Sequence, residues 1–429
     1  MAKIKKSCAK ANTNIGAMDK EIGKAIEQAC GELQEGKFDD QLTVDMFNGG
    51  GAIAINMVVN EIIANRANEL LTGRKGYEKV HPNTHVNMCQ STNDVVPSAI
   101  KLVSYEASLQ LVSAVKKLEE AFAEKAAEFK DKVKLGRTCL NDALPITFEQ
   151  EFSGYASGIK RQRQRIEAAL EDWLCLTLGG TAIGTGVGTM PGYKEKVYEI
   201  LREDVNPRIR IEDNLFDGLQ NADSYLYLSG LVKCLAVVMS KICYDIKLMG
   251  SGPFAGFGEL IIPAVQAGSS IMPGKVNPAI PEMIIQVAQQ VCGNDTTITM
   301  AVEKGELDLN ISDQILLKNL LDSISLLTNA IPILIDRCIK DLKVNETKTL
   351  KDAEGTTALV TTYSMLHGYK AALKLALESV EQHKTVKEVA VSSGRLSQEK
   401  ANILFDPILL TDIDRLHQVI KDMQADRDI

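Results

Sequence analysis

Gly268-Ser269-Ser270-Ile271-Met272-Pro273-Gly274-Lys275-Val276-Asn277-Pro278 decides how the rest of this 429-residue chain is read. Two adjacent hydroxyls, one lysine and one amide share a short segment bounded by glycine and proline. Gly268 and Gly274 permit backbone angles closed to other residues, while Pro273 and Pro278 stop a helix and disfavour it just upstream. The composition predicts a mobile loop presenting Ser269, Ser270, Lys275 and Asn277 together. A hydroxyl near an ammonium loses its proton more easily. Lysine and amide together suit a carboxylate whose charge grows during reaction. The plain alternative is a solvated polar loop.

Four further blocks flank it: His81-Pro82-Asn83-Thr84-His85-Val86-Asn87 running into Gln90-Ser91-Thr92-Asn93-Asp94; Gly136-Arg137-Thr138-Cys139-Leu140-Asn141-Asp142-Ala143; Gly179-Gly180-Thr181-Ala182-Ile183-Gly184-Thr185-Gly186; and Gly293-Asn294-Asp295-Thr296-Thr297. With the loop, these blocks resemble the aspartase/fumarase superfamily, in the family's order, from about Gly49 to Asn310. The family eliminates a group from succinyl-type substrates to release fumarate. The resemblance implies an all-α, three-domain fold with a central five-helix bundle, assembled as a homotetramer with a twenty-helix core. Its divisions here would be an N-terminal helical domain over 1–90, a long-helix bundle over 91–344 and a small helical domain over 345–429. Members usually carry several dozen further residues before the region that begins here at Met1, so either this branch lacks them or the reading frame starts late.

Carried over position by position, the resemblance implies that Ser269 is the base and that Lys275 and Asn277 bind a carboxylate, with Ser270 beside them. Ser91, Thr92 and Asn93 match the cluster that grips the second carboxylate and the leaving group; read alone, the triplet is a helix cap, and both roles are compatible because orphan N–H groups at a helix start also favour an anion. Thr138 matches another carboxylate contact, and Arg137 reads as a structural ion-pair partner. Glu282 matches a supporting carboxylate of fumarases, or a first-turn glutamate favoured by the helix dipole. The substrate is then an amino or hydroxy dicarboxylate, in sites shared between subunits, with no organic cofactor and no metal ligand set. His81 and His85 stand at i, i+4, but Pro82 and the want of a third ligand argue against a metal. Gly184-Thr185-Gly186-Val187-Gly188 reads as a close turn and not a nucleotide loop, since no strand precedes it.

Two positions depart from the family pattern. Cys139 stands where histidine or glutamine is usual, and a thiol is a poor donor; it reads as an apolar filler, or a thiolate if a cation lowers its pKa. Ile53 replaces a substrate-contacting threonine, and Ala54 a further polar residue. Each lost contact would cost about 1–3 kcal/mol with free aspartate or malate.

The wider composition agrees with a helical enzyme. Hydrophobic residues make up 45% and aromatics only 5%, with one tryptophan, Trp173, which favours helices over sheets. A net charge of −8 argues against a general nucleic-acid or anionic-membrane binder. Nine cysteines without a C-x-x-C pair read as reduced thiols in a cytoplasmic protein. No uninterrupted run of about 18 apolar residues appears, so no membrane span is expected. Helical patterns are expected from Met1 to about Lys79, then after Ser91 with Pro97 in the first turn and Leu111, Val115, Leu118 and Phe122 on one face. Others are expected over 147–178, along Leu228, Leu231, Leu235, Val238 and Ile242, over 281–300, and over 312–340 with a bend at Pro332. Three functional readings stay open: an aspartate ammonia-lyase, favoured by Val276-Asn277-Pro278-Ala279-Ile280-Pro281-Glu282 and Ser240-Lys241-Ile242-Cys243-Tyr244-Asp245; a lyase of the same chemistry on another succinyl or amino-acid substrate, fumarate hydration included; and a catalytically silent structural relative.

Overall fold

The computed structural model describes residues 1–425. Its helices are α1 (Ala2–Asn14), α2 (Lys20–Gln34), α3 (Ile53–Thr72), α4 (Thr92–Glu128), α5 (Phe148–Ala169), α6 (Tyr193–Asp204), α7 (Leu215–Gln220), α8 (Asp223–Met249), α9 (Ala279–Glu303) and α10 (Asp313–Leu334). After these come α11 (Glu346–Gly355), α12 (Val360–His367), α13 (Tyr369–Gln382), α14 (Val386–Ser392), α15 (Gln398–Leu404) and α16 (Ile413–Ala425). One hairpin, β1 (Val133–Thr138) with β2 (Asn141–Thr147), lies between α4 and α5. The rest of the strand structure is two-residue ladders. The fold is all-α, as expected.

The chain divides into two compact units. The first is Met1–Ala114, Gln162–Val237 and Val287–Asn329. In it α1, α2 and α3 pack around Ala9, Ile26, Cys30, Ile63 and Ala67, all buried. Asp19 caps α2 by accepting the N–H groups of Glu21 and Ile22, and α3 stops at Gly73, whose φ of +75° suits glycine. Trp173 is buried edge-on to Tyr225, ring centroids 5.0 Å apart. The Gly293–Thr297 block has a structural task here. Asp295 accepts the Ser229 hydroxyl at 2.7 Å and pairs with Lys233, while Asn294 donates to Ser323 Oγ at 3.0 Å, so α8, α9 and α10 are joined by buried polar contacts. Gly184 is required by close approach: a Cβ there would meet the Phe216 backbone nitrogen at 2.9 Å.

The second unit is Val115–Arg161, Val238–Gln286 and Ala330–Ile429. Phe122, Phe129, Phe148, Phe152 and Tyr155 pack in edge-to-face and tilted pairs at 5.3–6.4 Å. The short helices α12 to α16 close around Leu359, Leu375, Val386, Leu404 and Phe405. Thr385 and Glu388 form a reciprocal capping box at the start of α14.

Several elements differ from the sequence expectation. The helix expected over 147–178 ends at Ala169, and Cys175–Leu176 pairs in parallel with Arg210–Ile211. Trp173, Leu174, Leu176, Thr177 and Leu178 are all buried, and a short apolar run buried on every side does not distinguish strand from helix by its periodicity. Pro97 lies beyond the first turn of α4, inside the helix. At the other end α10 runs through Pro332 to Leu334 and passes into a π-helical turn over Ile335–Ile339, where the Lys340 N–H donates to the Ile335 carbonyl. Among the described residues α8 is long and apolar enough to cross a membrane by length and composition, although Ser229, Lys233 and Ser240 interrupt its apolar run. It buries Leu228, Val232 and Leu235 in the first unit and Ile242, Cys243 and Ile246 in the second, and leaves Tyr227, Val237 and Tyr244 exposed.

Candidate active site

In the first unit, Ser91 caps α4. Its Oγ accepts the Asn93 N–H at 3.2 Å, and the Asp94 carboxylate accepts the Ser91 N–H at 2.9 Å. The second Asp94 oxygen accepts the N–H groups of Gly179 and Thr181 at 3.0 and 2.9 Å, which fastens the glycine-rich segment to the helix start. Thr92 Oγ1 accepts Asn56 Nδ2 at 2.9 Å. Asn56 and Asn60 both also donate to Asn87 Oδ1 at 3.2 Å, and the same oxygen accepts the buried Lys5 ammonium at 3.4 Å. Lys5 reaches Gln90 Oε1 at 3.1 Å as well. Asn93 Nδ2 donates to the Ala182 carbonyl at 2.8 Å.

This wiring fixes the polarity of the triplet. The Ala182 carbonyl can only accept, so the Asn93 amide must turn its nitrogen inward and leave Oδ1 as an outward acceptor. The oxygens of Ser91 and Thr92 each already hold a donor, so their O–H groups are available to donate. Two hydroxyl donors beside one carbonyl acceptor match a carboxylate beside an ammonium. None of Lys5, Asn56 and Asn87 was given a role by the sequence reading. The available signal was asparagines at 56 and 60, four apart and the two polar residues of the Ile53–Asn60 stretch. His81 and His85 close a turn: His81 Nδ1 accepts the N–H groups of Asn83 and Thr84, and His85 Nδ1 accepts the His81 N–H at 2.9 Å. Burial and the neighbouring His81 hold the His85 pKa below the usual imidazole range. Among the described residues, His, Cys, Asp and Glu form no group of three placed to hold a metal.

Burial pushes Asp94 up to about 7 against the pull of its three N–H donors, and burial alone raises Asp313 to about 7. An unfolded aspartate titrates near about 4, so between those values the folded chain holds more protons than the unfolded one. Stability therefore falls as pH rises through that window. Lys5, brought down to about 8 by burial, acts in the opposite sense, and only above that value. The urea midpoint should decline between pH 5 and 7, with a shallower slope in Asp313→Asn; equal slopes would remove Asp313 from the account.

In the second unit, Thr138 and Cys139 stand at the hairpin tip. Cys139 and Leu140 form the two-residue turn at φ of +52° and +60°, the pair of left-handed conformations that a type I′ turn requires and that asparagine and glycine adopt more easily. Thr138, Cys139 and Leu140 are exposed. The hairpin is anchored below the tip. Arg137 Nη1 meets Glu259 at 2.7 Å, with Glu259 fully buried, and the guanidinium lies 4.3 Å over the Phe257 ring. Lys134 is 3.7 Å from the other Glu259 oxygen and 2.5 Å from Glu151. Glu259 belongs to no block that the sequence singled out.

The 268–278 loop has no regular structure but is closed on itself. Ser269 N–H donates to the Lys275 carbonyl at 2.8 Å, and a Cβ on Gly268, at φ of +89°, would meet that same oxygen at 2.5 Å. Ser269 Oγ accepts the N–H groups of Ile271 and Met272 at 3.3 and 3.1 Å. Lys275 Nζ donates to Asn277 Oδ1 at 2.8 Å. The donors on the serine oxygen are thus backbone amides, and the ammonium rests on its amide neighbour. Ser270 is exposed. Glu282, in the first turn of α9, pairs with Lys247 at 2.8 Å. The structure therefore sets Ser269, Lys275 and Asn277 in one loop, Thr138 and Cys139 in one turn, and Ser91, Thr92 and Asn93 in the other unit.

Comparison with known proteins gives this geometry a family. A family model described as lyase matches residues 1–293. An aspartate ammonia-lyase of a Bacillus species is 42% identical over 95% of this chain and 87% of its own length. The Escherichia coli K12 aspartate ammonia-lyase is 39% identical over 94% and 85%. Among crystal structures, a fumarate lyase:delta crystallin from Brucella melitensis bound to cobalt aligns with a TM-score of 0.93 at 39% identity, covering 96% of this chain and 89% of that one. A class II fumarase from Schistosoma mansoni aligns with a TM-score of 0.90 at 32% identity over the same shares. On identity, coverage and fold alike, this chain belongs to the aspartase/fumarase superfamily of lyases.

Proposed function

We propose that this protein is an aspartate ammonia-lyase, which removes ammonia from L-aspartate and releases fumarate. The polarity of the Ser91-Thr92-Asn93 block carries the reading, because it offers two donors to a carboxylate and one acceptor to an ammonium. Ser269, having released its hydroxyl proton to solvent, takes the proton from C3 as the alkoxide. Its alkoxide is stabilised by the N–H groups of Ile271 and Met272. Lys275 and Asn277 bind the carboxylate next to that carbon, where negative charge accumulates. Ser270 and Thr138 complete the carboxylate contacts, Cys139 lines the substrate beside them as an apolar filler, and Glu282, through Lys247, supports the loop's C-terminal end. The C–N bond then breaks, its electron pair leaves with ammonia, and the C2–C3 double bond forms.

We further propose a homotetramer with sites shared between subunits, built from the three divisions 1–90, 91–344 and 345–429. Supporting it, the long helices leave Val103, Leu109, Tyr227, Val237, Tyr244 and Met300 exposed, apolar area that partner helices would cover. The nine free thiols suit a reducing cytoplasm.

Ile53 favours a second reading. It opens α3 one turn before Asn56 and is 55% exposed, an apolar group beside the Thr92 hydroxyl's support. Ultraviolet absorbance of fumarate, with L-aspartate, malate and argininosuccinate offered separately, decides between them. Aspartate alone should respond. If it responds only after Ile53→Thr with Cys139→His, by about 10- to 100-fold in kcat/KM, the second reading holds. No turnover in either form, with succinate still binding, would leave the silent relative.

A further inference from the structure

Helix α13 is amphipathic in two directions. One face, Ala372, Leu375 and Ser379, is buried in its unit. A second stripe is not: Tyr369 is 74% exposed, Leu373 45%, Leu377 62% and Val380 62%. At about 100° per residue these four fall within about 80° of one another. Single exposed apolar side chains are ordinary, but four in one stripe along one helix mark a contact surface. None of the residues assigned to elimination lies on this helix.

The charges on the stripe's edge say what it meets. Lys370 lies at the N-terminal end and Glu381 at the C-terminal end, on the same side of the stripe, and both are exposed. Among the described residues neither forms an ion pair, whereas Glu378 is held by Arg395 at 2.5 Å. An edge that is basic at one end and acidic at the other is complementary to itself when reversed. About a two-fold axis between Leu375 and Ala376, Lys370 of one copy stands level with Glu381 of the other, and the same pair recurs on the far side of the axis. A parallel partner would turn this edge towards the partner's opposite flank and leave Lys370 and Glu381 unmatched.

We propose that α13 docks antiparallel against α13 of a second copy of this chain, an isologous contact built on Leu373 and Leu377 and registered by Lys370 and Glu381. The stripe is separate from the exposed apolar residues of α4, α8 and α9, and the contact is independent of the elimination chemistry.

Ala376 lies next to the axis, so Ala376→Cys in the full chain, treated with a short bis-maleimide, should give a covalent dimer well above the yield of the parent, whose own cysteines set the background. Adding Leu377→Glu should reduce the excess at least about tenfold without changing the melting temperature, because the side chain is already exposed. Lys370→Glu alone should lower the yield, and Lys370→Glu with Glu381→Lys should restore it. An undiminished yield in Leu377→Glu would overturn the pairing, and equal yields in the single and double charge variants would overturn the antiparallel register. Fumarate formation read in the same samples keeps the two proposals apart: intact turnover without a cross-link removes only the docking, and a cross-link without turnover removes only the elimination.

Discussion

Ser269→Ala should lower turnover of L-aspartate by about 10²- to 10⁴-fold, the range for loss of a positioned general base. The loop should survive the change. Its closure depends on the Ser269 N–H to Lys275 carbonyl bond and on the Gly268 backbone, neither of which needs the hydroxyl. The N–H groups of Ile271 and Met272, freed from Oγ, lie in an exposed segment and can turn to water. Binding of succinate should therefore change by no more than about threefold, which separates loss of chemistry from loss of binding. Steady-state kinetics and succinate inhibition measure the two halves. Turnover above one tenth of the parent's would remove Ser269 from the mechanism.

Glu259→Ala should be the most destabilising single change near the site, at about 3–5 kcal/mol. Glu259 is fully buried and faces two cations, Arg137 at 2.7 Å and Lys134 at 3.7 Å. Removing it strands the guanidinium in a low-dielectric setting, while Lys134 keeps Glu151. The urea midpoint reports the loss. Adding Arg137→Met should recover most of it, since no unpaired charge then remains buried. A single variant as stable as the parent would mean that the pair contributes only geometry. The hairpin carrying Thr138 hangs from this pair, so activity in Glu259→Ala should fall along with stability.

The helical class and the chemistry-bearing loop were legible in the sequence because both are written locally. Glycine and proline punctuate 268–278, and apolar periodicity marks α4, α8, α9 and α10. The β1–β2 hairpin was not legible. Its turn is Cys139-Leu140, where turn chemistry would predict asparagine or glycine, so the ladder imposes the left-handed angles and the turn residues do not announce them. The Lys5–Asn87–Asn56–Thr92 chain was hidden for another reason. Its members are far apart in sequence, and a basic N-terminal segment reads as solvated until a fold buries it. Glu259 likewise looks like one acidic residue among many until its two partners are seen.

Asp94 is bonded to Gly179 and Thr181, the latter 87 positions later in the chain, and its unit draws on three separate stretches ending at Asn329. During synthesis at about 5–20 residues per second, roughly 4–17 s pass between the emergence of Asp94 and that of Thr181. Throughout that interval the start of α4 cannot be buried with its carboxylate satisfied, and contacts of such long range are slow to close in any case. The Ser91 block is therefore completed only once Ala182 has emerged, the last residue that its hydrogen bonds require. Until α6 follows, a nascent chain also exposes the face of α1 that carries Cys8, which Tyr193 covers in the folded unit, the period in which a chaperone would have most to do.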